Sequence, residues 1–293
     1  MVEISKIGRF FPLDPEGHIL NDCREENLHA PWLDALIEVK TAYLDLFPDH
    51  IDGIYVRGSL PRGLAIANIS DLDTFAVLKE GSNPVAASVF QALRDRLKPR
   101  YPAISDFEFN LFRKKNLLEA SDHYSYRFMV KVLSLCTHGN DLSAQIQPFK
   151  PSRKLAVAFH GNIENEILQS MKLLQSCEKT AIAEKHCLWI MKRILRTGFA
   201  ILMEEERAYT RDLYPCYEVF SKHYPIRENW MRQVLDLAIN PPSQGPKIAH
   251  FLERTAGWFV AEVHEKLYGV RTISRLFSDP LITSPYKYSD SSA

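Results

Sequence analysis

The 293-residue chain lacks the features that would place it in a membrane or on a polyanion. Its apolar runs are all shorter than the roughly 18 residues of a membrane-spanning helix, and its N-terminus has neither a basic start nor a continuous apolar segment. Lys plus Arg is 36 and Asp plus Glu is 36, so the formal net charge is zero. A zero balance disfavours bulk nucleic-acid binding, although a local basic patch is allowed. We expect a cytoplasmic protein with no membrane partner.

Cysteine is also scarce and scattered. The five cysteines contain no C-x-x-C pair, and they stand at Cys23, Cys136, Cys177, Cys187 and Cys216. An odd, widely spaced set suits neither a disulfide framework nor a thiolate zinc site, and the ten histidines show no H-x-x-x-H spacing. We therefore expect reduced thiols in or near a core. Hydrophobic residues make up 46% of the chain and charged residues 25%, which is ordinary soluble composition.

The length favours two domains, and the pattern changes near residue 150. Residues 1–150 open with an arm, residues 1–30, that has mixed charge and no sustained period, so we expect it to be loosely structured. A helix is predicted between Pro31 and Pro48, and another from the Asn83-Pro84 cap to Pro99. Short apolar or alternating stretches predict three strands, at 53–56, 74–78 and 105–111. Strands that alternate with helices indicate a small α/β unit.

The second half, residues 151–293, is predicted to be helical, because β-branched runs thin out and long stretches of helical periodicity take their place. The tail at 279–293, rich in Ser, Pro and Asp, is expected to fray. No internal repeat is present. The predicted helices are 154–176, 183–207, 212–223, 227–239 and 246–268.

One stretch carries chemistry at the end of the first predicted strand. There Gly58 and Ser59 follow the strand directly, and we expect them to open a helix. Backbone N–H groups at such a position, together with the serine hydroxyl, can receive phosphate oxygens, and glycine lets the backbone approach closely. The turn therefore predicts a phosphate ligand.

Acidic residues follow at the start of the next two strands. Asp71 and Asp73 lie two positions apart, so their side chains share a face and can bind a hard cation together. On the third strand Glu108 lies on the polar face, with Asp106 beside it. Three carboxylates on neighbouring strands form the set that a two-Mg²⁺ site needs.

This order of motifs resembles the nucleotidyltransferase superfamily, which includes DNA polymerase β and the kanamycin, streptomycin and spectinomycin nucleotidyltransferases. The matching features are G-S-x-x-x-G, S-D-x-D and an acid on a later strand, all within residues 53–112. The helical half resembles the helical domain of bacterial nucleotidyltransferase-domain proteins, less specifically, at 192–198 and 209–213. The resemblance implies an α+β fold, with a small mixed sheet in residues 1–150 and an all-α domain in residues 151–293.

The same resemblance implies roles for individual residues. Gly58 and Ser59 would bind the triphosphate, and Asp71 and Asp73 would bind Mg²⁺. The third acid maps best to Glu108, in the apolar-acid-apolar form Phe-Glu-Phe, while a strand slipped by two residues would use Asp106 instead. The gap between Ser59 and Asp71 is about one residue longer than in the aminoglycoside enzymes, which the loop can absorb.

Basic residues near these motifs have two interpretations. Arg57 and Arg62 flank the Gly-Ser turn, and either could contact phosphate or pair with a carboxylate. Lys192, Arg193 and Arg196 share one helix face, which is either a solvated surface or a clamp on the triphosphate.

The predicted activity is Mg²⁺-dependent transfer of a nucleoside monophosphate, with ATP or another NTP as the donor and pyrophosphate as the product. Asp71, Asp73 and Glu108 would form the catalytic metal site, with two Mg²⁺ ions. The acceptor is a small aminoglycoside-like molecule in one interpretation and a protein or RNA partner in another. A third interpretation is a nucleotide-binding module without transfer, against which three intact carboxylates argue. The sequence names neither the acceptor, the preferred nucleotide nor the oligomeric state.

Overall fold

The chain divides into two structural units, Phe11–Lys150 and a unit that combines Met1–Phe10 with Pro151–Ala293. The structure is a computed structural model, and it describes residues 4, 6–81, 87–119, 123–177 and 180–270. The predicted Asn83-Pro84 cap and the predicted fraying at 279–293 lie outside these ranges. Within them, no helix combines the length and the apolar character that a membrane crossing requires.

A four-stranded sheet forms the centre of the first unit. Its strands are β1 (Ile51–Arg57), β2 (Leu72–Leu78), β3 (Phe107–Arg113) and β4 (Ser134–Gly139). The order across the sheet is β3-β2-β1-β4, with β1 antiparallel to both neighbours and β2 parallel to β3. The sheet is therefore mixed, and the predicted α+β class is confirmed. The fourth strand was not predicted, because Ser-Leu-Cys-Thr-His-Gly shows little apolar alternation.

Helices cover this sheet on one face with an apolar core. The four helices of the unit are α1 (Trp32–Leu46), α2 (Ala87–Leu97), α3 (Lys114–Glu119) and α4 (Tyr124–Val132). Alternate residues of the strands pack with α1 and α2, among them Ile54, Val56, Leu72 and Ala76. Because successive side chains of a strand point to opposite faces, the residues between these belong to the other face. On that face Tyr55 stacks on Phe75, with the ring centroids 4.8 Å apart.

The prediction of a loosely structured arm over residues 1–30 is wrong for its second part. Phe11, Ile19 and Cys23 are buried, and Asp22 forms a buried ion pair with Arg62. A single β-bridge joins Leu13 to Ile19, and a short 3-10 helix spans Glu25–Asn27. Contacts with distant parts of the unit order this segment, and the local sequence pattern does not predict such contacts.

The second unit is helical, and the predicted helices 212–223 and 227–239 match observed helices to within one residue, whereas the three longer predicted helices are each divided. Gly161 ends the first of them, at a place where an added Cβ would lie 2.4 Å from the Tyr268 hydroxyl. The predicted helix 183–207 is likewise interrupted, between residues 200 and 203. The observed helices are α5 (Arg153–His160), α6 (Ile163–Gln175), α7 (Thr180–Ala200), α8 (Met203–Glu206), α9 (Leu213–His223), α10 (Glu228–Ile239), α11 (Gly245–Thr255) and α12 (Gly257–Tyr268).

Candidate active site

Three charged side chains form a row across the sheet. Arg57, the last residue of β1, is paired in register with Asp73 of β2, and Asp73 is paired with Glu108 of β3. Residues that are paired across neighbouring strands point to the same face. The register therefore brings a guanidinium and two carboxylates together on the face of the sheet away from α1 and α2.

The distances show that Arg57 holds both acids. Its Nη2 lies 2.9 Å from Glu108 Oε1 and 3.8 Å from Asp73 Oδ2. The side chain of Asp73 is 12% exposed and that of Glu108 is 48% exposed, so the row runs from a buried acid to a solvent-accessible one. Asn110, two residues along β3, also donates from Nδ2 to Glu108 Oε1 at 2.7 Å.

The two acids differ in their affinity for protons. Burial raises the pKa of the Asp73 carboxyl well above its ordinary value, and it outweighs the opposing charge of Arg57. Burial would also raise the pKa of Glu108, but its hydrogen bond with Asp73 and the charge of Arg57 lower it below the ordinary value. Asp73 therefore holds a proton more tightly than Glu108 does.

The environment of Asp73 fits a cation ligand. Its Oδ1 is buried and accepts no hydrogen bond from any N–H or O–H group of the described residues. A buried carboxylate oxygen without a donor is costly unless a cation or a proton satisfies it. Asp71 is exposed one residue before β2, and its charge acts on both Asp73 and Arg57. These carboxylate oxygens are the hard ligands that Mg²⁺ prefers.

The three acids do not form a closed ligand cluster. Among the described residues, the group whose ligand atoms all lie within 4.8 Å of one another is Asp14, Glu16 and His18, in the loop beside the β-bridge. In that loop the Asp14 carboxylate already accepts hydrogen bonds from the backbone and ring of His18. At the sheet end, Arg57 provides the positive charge that a metal ion would supply.

The Gly-Ser turn lies against Asp73, but it does not open a helix. Residues 58–71 form bends and turns, so the predicted helix start at Gly58 and Ser59 is wrong. Gly58 has a φ of +88°, which favours glycine, and a Cβ there would lie 3.1 Å from Asp73 Oδ2. Ser59 is partly exposed, and its carbonyl accepts the Leu64 N–H at 2.9 Å. The sequence pattern missed this because a turn and a helix start both follow a strand with Gly-Ser.

The structure separates the two candidates for the third acid. Asp106 lies before β3, where its Oδ1 accepts the Phe107 N–H and lies 3.4 Å from Arg94 Nε and 3.3 Å from Lys98 Nζ of the α2 region. Glu108 instead faces Asp73 and Arg57. The strand register therefore places Glu108 beside Asp73, whereas Asp106 contacts basic residues of the α2 region.

Arg62 is placed away from solvent. Its Nε donates to both carboxylate oxygens of Asp22, at 2.9 and 3.0 Å, and its guanidinium lies 4.4 Å from the centroid of the Phe11 ring. The residue is 7% exposed. This environment favours the structural interpretation of Arg62, and contact with a phosphate stays a prediction.

The three basic residues of α7 have different surroundings within the helical unit. Arg193 forms a two-pronged ion pair with Glu166 of α6, at 2.7 and 2.8 Å. Arg196 donates from Nε to the Arg211 carbonyl at 3.0 Å. Lys192 is partly exposed. Arg193 and Arg196 thus take part in contacts inside the unit, and binding of the triphosphate by these three residues stays a prediction.

Comparisons with known proteins add one likeness of fold. No protein-family model matches the chain, and no curated protein matches its sequence. Among solved structures, the chain is similar to the spectinomycin adenyltransferase AAD(9) from Enterococcus faecialis, which was crystallised with ATP and spectinomycin. The TM-score is 0.48 and the identity 12%, over 75% of this chain and 97% of that one.

Proposed function

We propose that this protein is a nucleotidyltransferase that moves a nucleoside monophosphate from an NTP to an acceptor. The observation that carries the proposal is the register of the sheet, which sets Asp73 beside Glu108 and beneath the Gly58-Ser59 turn. A carboxylate site for a cation and a glycine turn for phosphate then lie at the same end of the sheet. Nucleotidyl transfer needs both of them together.

In this proposal Asp71, Asp73 and Glu108 hold Mg²⁺, with Asp73 Oδ1 available to a cation. Bound Mg²⁺ would supply charge neutralisation for the triphosphate and for the developing pyrophosphate. Gly58 and Ser59 hold the β- and γ-phosphates through the turn backbone and the serine hydroxyl. ATP is the proposed donor.

The reaction proposed is attack of an acceptor oxygen on the α-phosphorus, with the bond to the β-phosphate oxygen breaking as pyrophosphate leaves. Glu108 is the group that accepts the proton of the acceptor, because it is the more exposed of the two paired acids and its lowered pKa keeps it ionised. Arg57 Nη2 donates a hydrogen bond to Glu108 Oε1 at 2.9 Å, and this bond must break before Glu108 can accept a proton.

Positive charge for the triphosphate is proposed to come also from α7. Of Lys192, Arg193 and Arg196, we place Lys192 first, because it lies nearest the start of α7 and has Trp189 as a neighbour on the same helix. Such a cation would lower the barrier by stabilising the leaving pyrophosphate.

The acceptor is proposed to be a small hydroxylated or amino compound of the aminoglycoside type. The second candidate is a protein or RNA acceptor, and the size of the labelled product distinguishes it from the first.

The proposal is tested first by melting and then by labelling. ATP with Mg²⁺ should raise the melting temperature, and ATP with a chelator should raise it much less, because the clustered acids repel an uncompensated triphosphate. Equal shifts would contradict the metal site. Incubation with a cell extract and labelled ATP, GTP, CTP or UTP, followed by size separation, would then place the label on a small molecule or a macromolecule. Asp71→Asn is the control, and it should show neither the Mg²⁺-dependent rise in melting temperature nor transfer of the label.

A further inference from the structure

A small cavity inside the helical unit has three arginines among the nine residues that line it. Its volume is about 20 Å³, which is more than the roughly 10–15 Å³ that one water molecule requires. His160 at the end of α5, Arg193 and Arg196 of α7, and Arg211 before α9 contribute to the lining. Among the described residues that line the cavity, none carries a carboxylate.

Arg196 brings a positive charge to this cavity without a carboxylate partner. Its hydrogen bond goes to a neutral group, the Arg211 carbonyl, and no acid in the described part of the chain forms an ion pair with it. Burial and the neighbouring charge of Arg211 lower its pKa to about 10. Arg193 differs, because Glu166 compensates its charge.

His160 is neutral, and its tautomer follows from its neighbours. The Thr197 hydroxyl donates its one hydrogen to the Arg193 carbonyl, at 2.8 Å. Thr197 Oγ1 must then accept from His160 Nδ1, at 2.9 Å, so the lone pair of the ring is on Nε2. Burial and the charges of the three arginines lower the pKa of His160 well below its ordinary value.

We propose that this cavity is a binding site for one monovalent halide ion, chloride in particular, held by the Arg196 guanidinium and by His160 after it takes up a proton from solvent at Nε2. A guanidinium can only donate hydrogen bonds, so an acceptor that also carries negative charge satisfies it better than water does. The ion offsets the repulsion between the arginines and an imidazolium, which makes the protonation of His160 favourable.

The other titratable groups near the His160 ring do not change the charge around it near neutral pH. Glu166 is engaged by Arg193, and burial raises the pKa of the Cys216 thiol to about 12, so that this thiol stays neutral near pH 7. Tyr209 also lines the cavity. The inference is independent of the proposed nucleotidyl transfer, because neither Mg²⁺ nor nucleotide takes part.

The first experiment compares melting of the full chain in sodium chloride and in sodium gluconate at equal ionic strength. Gluconate is too large for the cavity, so chloride alone should raise the melting temperature, by about 3–5 °C when its concentration is about ten times its dissociation constant. The rise should be larger near about pH 6 than near about pH 8, and His160→Asn should remove this pH dependence. Asn retains a donor for Thr197 and lacks the Nε2 position.

Arg196→Met should abolish the chloride response, whereas Arg232→Met should retain it. Arg232 is an exposed arginine that is paired with Glu228 one helical turn away. Arg196→Lys serves if the methionine variant fails to fold, and it should weaken the response, because an ammonium lacks the forked donors. A chloride response that persists in both Arg196 variants would overturn the proposal.

Anomalous diffraction from wild-type crystals soaked in bromide tests the halide site directly, without any substitution. We expect an anomalous peak in the cavity, in contact with Arg196 and His160. Equal melting in the two salts, or density in the cavity that refines as water in the presence of bromide, would refute the halide site. Asp73→Asn should behave as wild type in all these tests, which separates a failure here from a failure of the proposed function.

Discussion

Arg57 Nη2 lies 2.9 Å from Glu108 Oε1, and the strand register aligns both residues with Asp73. The guanidinium therefore acts as an internal counter-charge for two carboxylates that would otherwise repel each other. A cation that binds the acids competes with Arg57 for Glu108. The site is thus expected to exist in two forms, one closed by the arginine and one held by metal.

Replacing Arg57 tests this counter-charge. Arg57→Met should lower the free energy of unfolding by about 1–3 kcal/mol without metal, because two acids lose their positive partner. Mg²⁺ should then recover more stability in this variant than in wild type. Denaturant unfolding with and without Mg²⁺ measures both quantities. Equal stabilisation of the two proteins by Mg²⁺ would mean that Arg57 and the metal do not compete.

Asp73→Asn should leave the metal-free protein as stable as wild type or more stable, and it should abolish transfer. The pKa of Asp73 is raised in the folded state, so its contribution to stability is fully present below the unfolded value of 3.8 and is lost as pH rises through the folded value. Near neutral pH the asparagine removes this penalty. Unfolding measured across a pH series checks the sign. A variant that is less stable at every pH would show that the carboxylate is a structural group.

His160 should make the helical unit sensitive to acid. Its pKa is lowered in the folded state, so the stability is present above the ordinary value of 6.5 and is lost as pH falls below it, by at most about 1.4 kcal/mol for each pH unit. His160→Asn should flatten this part of the stability curve. Unfolding in gluconate between neutral and acidic pH measures the slope without chloride. Parallel curves for the two proteins would contradict a neutral His160.

Substitution by alanine should have different effects at Arg193 and at Lys192, two neighbouring residues of α7. Arg193→Ala should cost about 2–4 kcal/mol of unfolding free energy, since Glu166 is left partly buried without its partner. Lys192→Ala should instead raise KM or lower kcat for the triphosphate and leave acceptor affinity unchanged. Lys185→Ala, an exposed lysine on the same helix, is the matched control. Unaltered nucleotide kinetics in Lys192→Ala would favour the interpretation of this helix face as a solvated surface that does not bind the triphosphate.

Local patterns identified the parts of the site that lie on strands. Asp71 and Asp73 were expected at the start of β2 and Glu108 on β3, because alternation and spacing are properties of single segments. The pairing of these strands sets Glu108 beside Asp73, and pairing is a contact between distant segments. The same limit applies to Arg62, whose partner Asp22 is 40 residues away in the chain.

Other differences arise where the local signal is weak or ambiguous. The edge strand β4 alternates too little to be predicted, and Gly58-Ser59 fits a turn as well as a helix start. The breaks at Gly161 and before Met203 interrupt continuous helical periodicity. At the first break the Tyr268 hydroxyl donates to the Gly161 carbonyl at 3.1 Å, a contact between distant segments. The cavity around Arg196 and His160 could not be predicted, because its residues come from three separate segments.

The most direct measurement follows two labels on one nucleotide. ATP labelled at the α-phosphorus or at the γ-phosphorus is incubated with the protein, Mg²⁺ and the acceptor fraction. A nucleotidyltransferase attaches the α label to the acceptor and releases the γ label as pyrophosphate, and Asp73→Asn does neither. Transfer of the γ label to the acceptor, or unchanged transfer of the α label by Asp73→Asn, would contradict the proposed site and its chemistry.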